Sequence, residues 1–228
     1  MALERPRLVI FDVDGTLHDT FRWWAPVLRR GLEVFAEREG LDLAVPTDDE
    51  ANAVVGMKDN GVWDPFLPPE HKHRWLDLKK LVVPMEVAEI SSDTDYLFPG
   101  IRELLEHLRR AGLALAIASN CRAQYFAGVC DGLGLGPLTD HQFCLDSDRV
   151  ETKTDMLRCA LLDSGIDAQH AVMVGDREPD LEAAEAVGLP FIWRQNDRCD
   201  LTASSAFVWD GDPDRFCEVL DLPRISSV

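Results

Sequence analysis

Positive charge is scarce in this chain: 23 Lys and Arg face 41 Asp and Glu over 228 residues, a formal net charge of −18 at pH 7. A surface so acidic repels a bare nucleic-acid backbone and an anionic membrane surface, so neither is an expected partner. No apolar run approaches the roughly 20 residues that a membrane span needs. The six cysteines, at 121, 130, 144, 159, 199 and 217, form no CxxC pair, and no charged leader with an apolar stretch precedes residue 7. Free thiols in a reducing cytoplasm are the expectation. Internal repeats, low-complexity tracts and long flexible linkers are absent too, and nothing in the sequence fixes an oligomeric state.

What is present is ample apolar material, 46% of the chain, in a characteristic rhythm. Short apolar runs recur at Leu8 to Phe11, Leu113 to Ala118, Phe143 to Leu145, Ala171 to Val174, Phe191 to Trp193 and Ala206 to Trp209, and read as buried strands. Between them lie helical patterns at 101–112, 154–165 and 179–188, each ending at or beside a glycine stop signal. Strand then helix, repeated, predicts an α/β fold, a Rossmann-like parallel sheet flanked by helices.

The first unit breaks the rhythm. Residues 21–40 and 71–90 carry apolar positions at helical spacing, the second interrupted by Pro84, and Pro99-Gly100 marks a return. Residues 19–95 therefore read as an inserted helical cap, with 1–18 and 96–228 forming the core. In open parallel sheets, ligands collect beyond the carboxyl ends of the strands. The residues expected there are Asp12 and Asp14, then Ser119 and Asn120, then Lys153, then Gly175, Asp176 and Asp180. Two carboxylates as close as Asp12 and Asp14 repel unless a cation, a proton or a reaction compensates them.

These residues resemble the haloacid dehalogenase-like superfamily, in its phosphatase branch with a helical cap of the first type (phosphoglycolate phosphatase and beta-phosphoglucomutase-like). The motifs are Asp12-Val13-Asp14-Gly15-Thr16, Ser119 after an apolar strand, Lys153, and Gly175-Asp176-x-x-x-Asp180, in family order over nearly the whole chain. Lys153 is followed by Thr154 where the family often has proline. The resemblance implies Asp12 as nucleophile, Asp14 as general acid and base, and Ser119 and Lys153 as catalytic donors. Phosphate would be held by Gly15, Thr16, Ser119, Asn120 and Lys153, and Mg²⁺ by Asp12, Asp14, Asp176 and Asp180. The implied substrate is a small phosphorylated metabolite. This chemistry suits phosphoryl transfer, which is mostly positioning and charge neutralisation. It also supplies the local positive field that an anionic substrate needs in so acidic a protein.

Each residue has a plainer reading. An Asp-Gly pair is usually a turn, Ser119, Asn120 and Asp176 fit helix N-caps, and a lone lysine is usually solvated. Their ordered combination outweighs these readings. His18 stands where the chain turns toward the cap, either as a solvated loop histidine or in contact with substrate. Arg22, Lys58 and Arg74 are the basic cap residues suited to a distal substrate group, with residues 54–60, around Gly56, as a specificity loop. Trp23, Trp24 and Trp63 suit a pocket wall or cap packing. His71 and His73, two apart, do not make a zinc pair. Cys121 reads as a small buried hydrophobe. Two other functions share parts of the pattern: a sugar-phosphate mutase needs the same Asp12 and Asp14, and a receiver-like, phosphorylation-driven binding module shares the acidic pair and lysine but not the long insertion.

Overall fold

The computed structural model describes residues 5–58, 60–196, 201 and 207–225. Cys199 and Ala206 lie outside the described residues. The element order is β1 (Leu8–Phe11), α1 (Trp24–Glu39), α2 (Asp48–Asn52), α3 (Asn60–Trp63), α4 (Trp75–Ile90), α5 (Ile101–Arg110), β2 (Ala114–Ala118), α6 (Ala123–Gly132), β3 (His141–Phe143), α7 (Lys153–Ser164), β4 (Ala171–Gly175), α8 (Glu178–Val187), β5 (Phe191–Arg194), β6 (Phe207–Trp209) and α9 (Pro213–Val219).

Among the described residues these strands make one parallel sheet in the order β3-β2-β1-β4-β5-β6. β1 is central and every one of its residues is fully buried, which is why its sequence, LVIF, is apolar on both faces. The chain adds strands on one side of β1 and then on the other. This reversal opens a crevice at the carboxyl end of β1, where Asp12 and Asp14 stand.

The third strand begins two residues earlier than its apolar run predicts. As an edge strand, β3 tolerates the half-buried His141 and Gln142, and beyond Phe143 the backbone turns away: the Cys144 N–H donates to Ser147 Oγ at 2.9 Å. α7 starts at Lys153 because Thr152 and Asp155 form a capping box, and it ends at Gly165 with φ of 66°. α6 carries no strong sequence signal because it holds two glycines. They are needed for close approach to α4: a Cβ at Gly128 would lie 2.7 Å from Val87, and one at Gly132 would lie 2.8 Å from the Ile90 carbonyl oxygen.

Between β1 and α5, every regular element among the described residues is helical. The chain leaves and returns side by side, Asp19 N–H donating to the Tyr96 carbonyl at 2.8 Å and Phe98 N–H to the Leu17 carbonyl at 2.9 Å. α4 runs through Pro84 instead of being interrupted there. Pro84 and Lys80, whose carbonyl loses its donor, are both exposed, so water can take the place of the missing hydrogen bond.

Candidate functional site

A cavity of about 470 Å³ opens at the carboxyl edge of the sheet, between the strand ends and the helical segment. Asp12, Asp14, Ser119, Asn120, Lys153 and Asp180 line it. The geometry follows from local structure. Asp12 continues β1, its N–H donating to the Val174 carbonyl of β4 at 2.9 Å, and Ser119 continues β2, its N–H donating to the Phe143 carbonyl at 3.0 Å. Lys153 is the first residue of α7, and Asp180 lies in the first turn of α8.

Three of these side chains, Asp12, Lys153 and Asp180, form a buried charge cluster with Asp176. Lys153 Nζ lies 2.5 Å from Asp12 Oδ1 and also pairs with Asp180 Oδ1. Asp12, Asp176 and Asp180 each offer a carboxylate oxygen within 4.8 Å of the others. Burial would lower the Lys153 ammonium, but Asp12 and Asp180 outweigh it and hold it above its ordinary value. Burial, against the pull of Lys153 and with Asp180 and Asp176 adding to it, pushes the Asp12 carboxyl well up. Burial and then Asp180 push Asp176 up to about 7. Lys153, with Arg177 Nε 3.9 Å from Asp176 Oδ2, does not balance three carboxylates, and among the described residues Asp176 Oδ1 is buried with no hydrogen-bond partner. A buried carboxylate with an unpartnered oxygen, beside two further buried carboxylates, is a donor set that fits a hard cation.

Asp14 sits in a different setting. Its Oδ1 accepts from the Thr20 hydroxyl at 2.5 Å, the Tyr125 hydroxyl at 2.8 Å and His18 Nδ1 at 3.2 Å. Burial opposes its charge, but these hydrogen bonds win and hold the carboxyl below its ordinary value. Tyr125 is pushed well up by burial and then by Asp14, which keeps it a donor. Gly15 adopts φ of 85°, and a Cβ there would collide with the Asp176 carboxylate.

The structure brings together Asp12, Ser119, Lys153, Asp176 and Asp180, with Asp14 and Asn120 on the same cavity. Thr16 is fully buried and its hydroxyl has no partner among the described residues. Four of the specificity candidates stand elsewhere. His18 is neither solvated nor on the cavity wall: it is fully buried behind Asp14, because Trp23 Nε1 donates to its Nε2 at 2.9 Å. Arg22 is exposed, 5.5 Å over the Tyr96 ring, and Lys58 is exposed off the cavity. Arg74 pairs with Glu39 and Asp77. Gly56 does line the cavity, against Arg177. Of the tryptophans, Trp24 and Trp63 line it, joined by Trp75. Cys121 lines it as well, with its thiol pushed well up by burial.

Sequence reasoning missed Thr20, Tyr125, Trp75, Lys79, Arg177 and Glu86, all of which line the cavity. One of them left a legible signal: Glu86 interrupts an apolar stripe of α4 at four-residue spacing, Leu78, Val82, Glu86 and Ile90, all buried.

The fold and the crevice define a parallel α/β protein whose carboxylates and lysine gather at the switch point of the sheet. The family model of the haloacid dehalogenase-like hydrolases matches residues 9–194, and the chain belongs to that family. It is 27% identical over 195 residues to a phosphoglycolate phosphatase of Pseudomonas fluorescens, covering 81% of this chain and 67% of that one. It is 31% identical over 196 residues to the tyrosine-protein kinase PtkA of Mycobacterium tuberculosis, covering 82% of this chain and 61% of that one. The chain thus spans about two thirds or less of the length of these relatives. In fold it is similar to CbbY from Rhodobacter sphaeroides in complex with phosphate, with a TM-score of 0.75 at 22% identity over 95% of this chain and 100% of that one. No helix among the described residues is long and apolar enough to cross a membrane. The five described cysteines are free.

Proposed function

We propose that the protein is a phosphatase that hydrolyses a small phosphorylated metabolite through an aspartyl-phosphate on Asp12. Residues 1–18 and 96–228 act as the catalytic core and residues 19–95 as a cap. The observation that carries this reading is the buried cluster of Asp12, Lys153, Asp176 and Asp180 at the carboxyl ends of the strands, with Asp12, Lys153 and Asp180 on the cavity, next to a separately held Asp14. The names of the phosphoglycolate phosphatase relatives support it.

In the first step an Asp12 carboxylate oxygen attacks phosphorus, the bond from phosphorus to the ester oxygen breaks, and a proton from Asp14 passes to the departing oxygen. In the second step water attacks the phosphorus of the aspartyl-phosphate and Asp14 takes its proton. Phosphate leaves, and Asp12 is restored. The three donors on Asp14 Oδ1 leave Oδ2 as the atom that carries the proton. They favour the carboxylate form, which the second step uses. Lys153 holds the Asp12 carboxylate and meets the phosphoryl charge, with the Ser119 hydroxyl and Asn120 amide as further donors. Gly15 and Thr16, expected to hold phosphate, have their amides engaged within the turn, Gly15 N–H donating to the His18 carbonyl at 2.9 Å and Thr16 N–H to the Val13 carbonyl at 3.1 Å, so they shape the turn that positions Asp14.

Asp12 and Asp176, with the Asp14 carbonyl, would hold Mg²⁺, and Asp180 would support the site through Lys153. The ion supplies charge neutralisation at the phosphoryl oxygens. A cytoplasmic setting suits the free thiols. A mutase uses the same two aspartates, but the relatives' names favour hydrolysis, and membership of a hydrolase family leaves no support for a receiver-like module. The experiment is release of para-nitrophenol from para-nitrophenyl phosphate with Mg²⁺, stopped by chelation. Sustained turnover is expected. A single stoichiometric burst, or turnover indifferent to the chelator, would contradict the reading.

A further inference from the structure

The cavity has two unlike walls. The strand ends supply the charged floor, whereas the helical segment supplies apolar side chains, among them Trp24, Trp63 and Trp75. Trp24 and Trp63 are themselves almost fully buried, with rings meeting edge to face at 5.9 Å. One acidic side chain sits in that apolar wall. Glu86 lines the cavity, is 5% exposed, and among the described residues has no hydrogen-bond or ion-pair partner. Lys79, two turns earlier on α4, is half-buried, and its ammonium lies 5.9 Å from the centre of the Trp75 ring instead of on Glu86.

An unpaired carboxyl in an apolar wall is costly in its charged form. Burial first, and then the charge of Asp14, against the weaker pull of Lys79, push Glu86 up to about 8, so that a proton meets the cost. A ligand relieves it better if it brings positive charge, because the carboxylate can then form and the indole rings add their own attraction for a cation. A ligand carboxylate in the same place would meet Glu86 and Asp14 as like charges.

We propose that Glu86, with the surrounding tryptophans, is a subsite for an ammonium group on the substrate's alcohol, so that the preferred esters are phosphorylated amino alcohols. The inference rests on the phosphatase reading: the phosphoryl group occupies the floor at Asp12 and Lys153, and the amino end of the alcohol reaches the α4 wall. Glu86 then determines specificity and takes no part in bond breaking.

The test compares kcat/KM for phosphoethanolamine and phosphocholine with that for glycerol phosphate and phosphoglycolate, in the wild type and in Glu86→Gln, with para-nitrophenyl phosphate as reference. The wild type is expected to favour the amino esters by about tenfold or more. Glu86→Gln should lose about tenfold on the amino esters, through KM, and clearly less on para-nitrophenyl phosphate, which brings no ammonium group to the α4 wall. Trp75→Leu should erode the same preference, which covers the case of a poorly folded Glu86 variant. A wild-type preference for phosphoglycolate or glycerol phosphate, or an equal loss on every ester in Glu86→Gln, would overturn the subsite. In both cases, para-nitrophenyl phosphate turnover by the wild type would leave the phosphatase reading standing. Absence of that turnover would remove the reading itself.

Discussion

Trp23 Nε1 donates a hydrogen bond to His18 Nε2 at 2.9 Å. An indole nitrogen only donates, so Nε2 is the acceptor and the ring proton sits on Nδ1, aimed at Asp14 Oδ1 3.2 Å away. The first turn of the helical segment therefore fixes the tautomer of a histidine that holds the proposed acid and base. Trp23→Phe removes the donor and leaves a buried nitrogen unpaired. The expected result is a loss of about 1–3 kcal/mol in stability by urea unfolding. Turnover should also fall more for alkyl phosphates than for para-nitrophenyl phosphate, because only the former need a well-placed proton.

Asp14→Ala tests the acid role directly. Esters with poor leaving groups should slow far more than activated ones, read as a steeper dependence of kcat on leaving-group pKa. Equal losses across the series would reject proton donation by Asp14.

Lys153 is held between Asp12 and Asp180 with no exposure to spare. Lys153→Met leaves those carboxylates uncompensated, and breaking a buried pair in this way costs about 3–5 kcal/mol. Mg²⁺ should recover more of the lost stability in this variant than it adds to the wild type, measured as the shift in Tm on adding the ion. An equal shift in both proteins would place the ion away from this cluster.

Stability should depend on pH through the same carboxylates. Asp176 is raised from 3.8 to about 7 by burial and Asp180. A carboxyl raised in the folded state contributes stability that is complete below its unfolded value and is lost as pH rises through its folded value. Without metal, this contribution disappears by about pH 8, where the ionised carboxylate is also the better ligand. The increase in Tm from Mg²⁺ is thus expected to be larger near pH 8 than near pH 5. The opposite order would show that protons and metal do not compete here.

Much of this was legible in the sequence. The strands of the sheet interior, β1, β2, β4 and β5, are continuous apolar runs because both faces are buried, and Asp12, Ser119, Lys153, Asp176 and Asp180 follow from their places just beyond strand ends or at helix starts. The edge strand β3 and the glycine-bearing α6 were less readable, since their residues answer to edge exposure and to packing on α4. His18 was illegible, and Glu86 showed only as a break in an apolar stripe of α4, for a related reason. A histidine in a loop and a glutamate in a helix are ordinary surface residues by type. Only the positions of Trp23 for the one and of the apolar cavity wall for the other make them buried partners of the site.

The account turns on a phosphoryl group carried by Asp12. Rapid quenching of wild-type turnover on a radiolabelled phosphate ester, followed by peptide mapping, should find the label on the peptide holding Asp12. Asp12→Asn should show neither label nor turnover, a loss of several orders of magnitude in kcat, with an unchanged circular dichroism spectrum. Label on any other residue, or near wild-type turnover in Asp12→Asn, would contradict it.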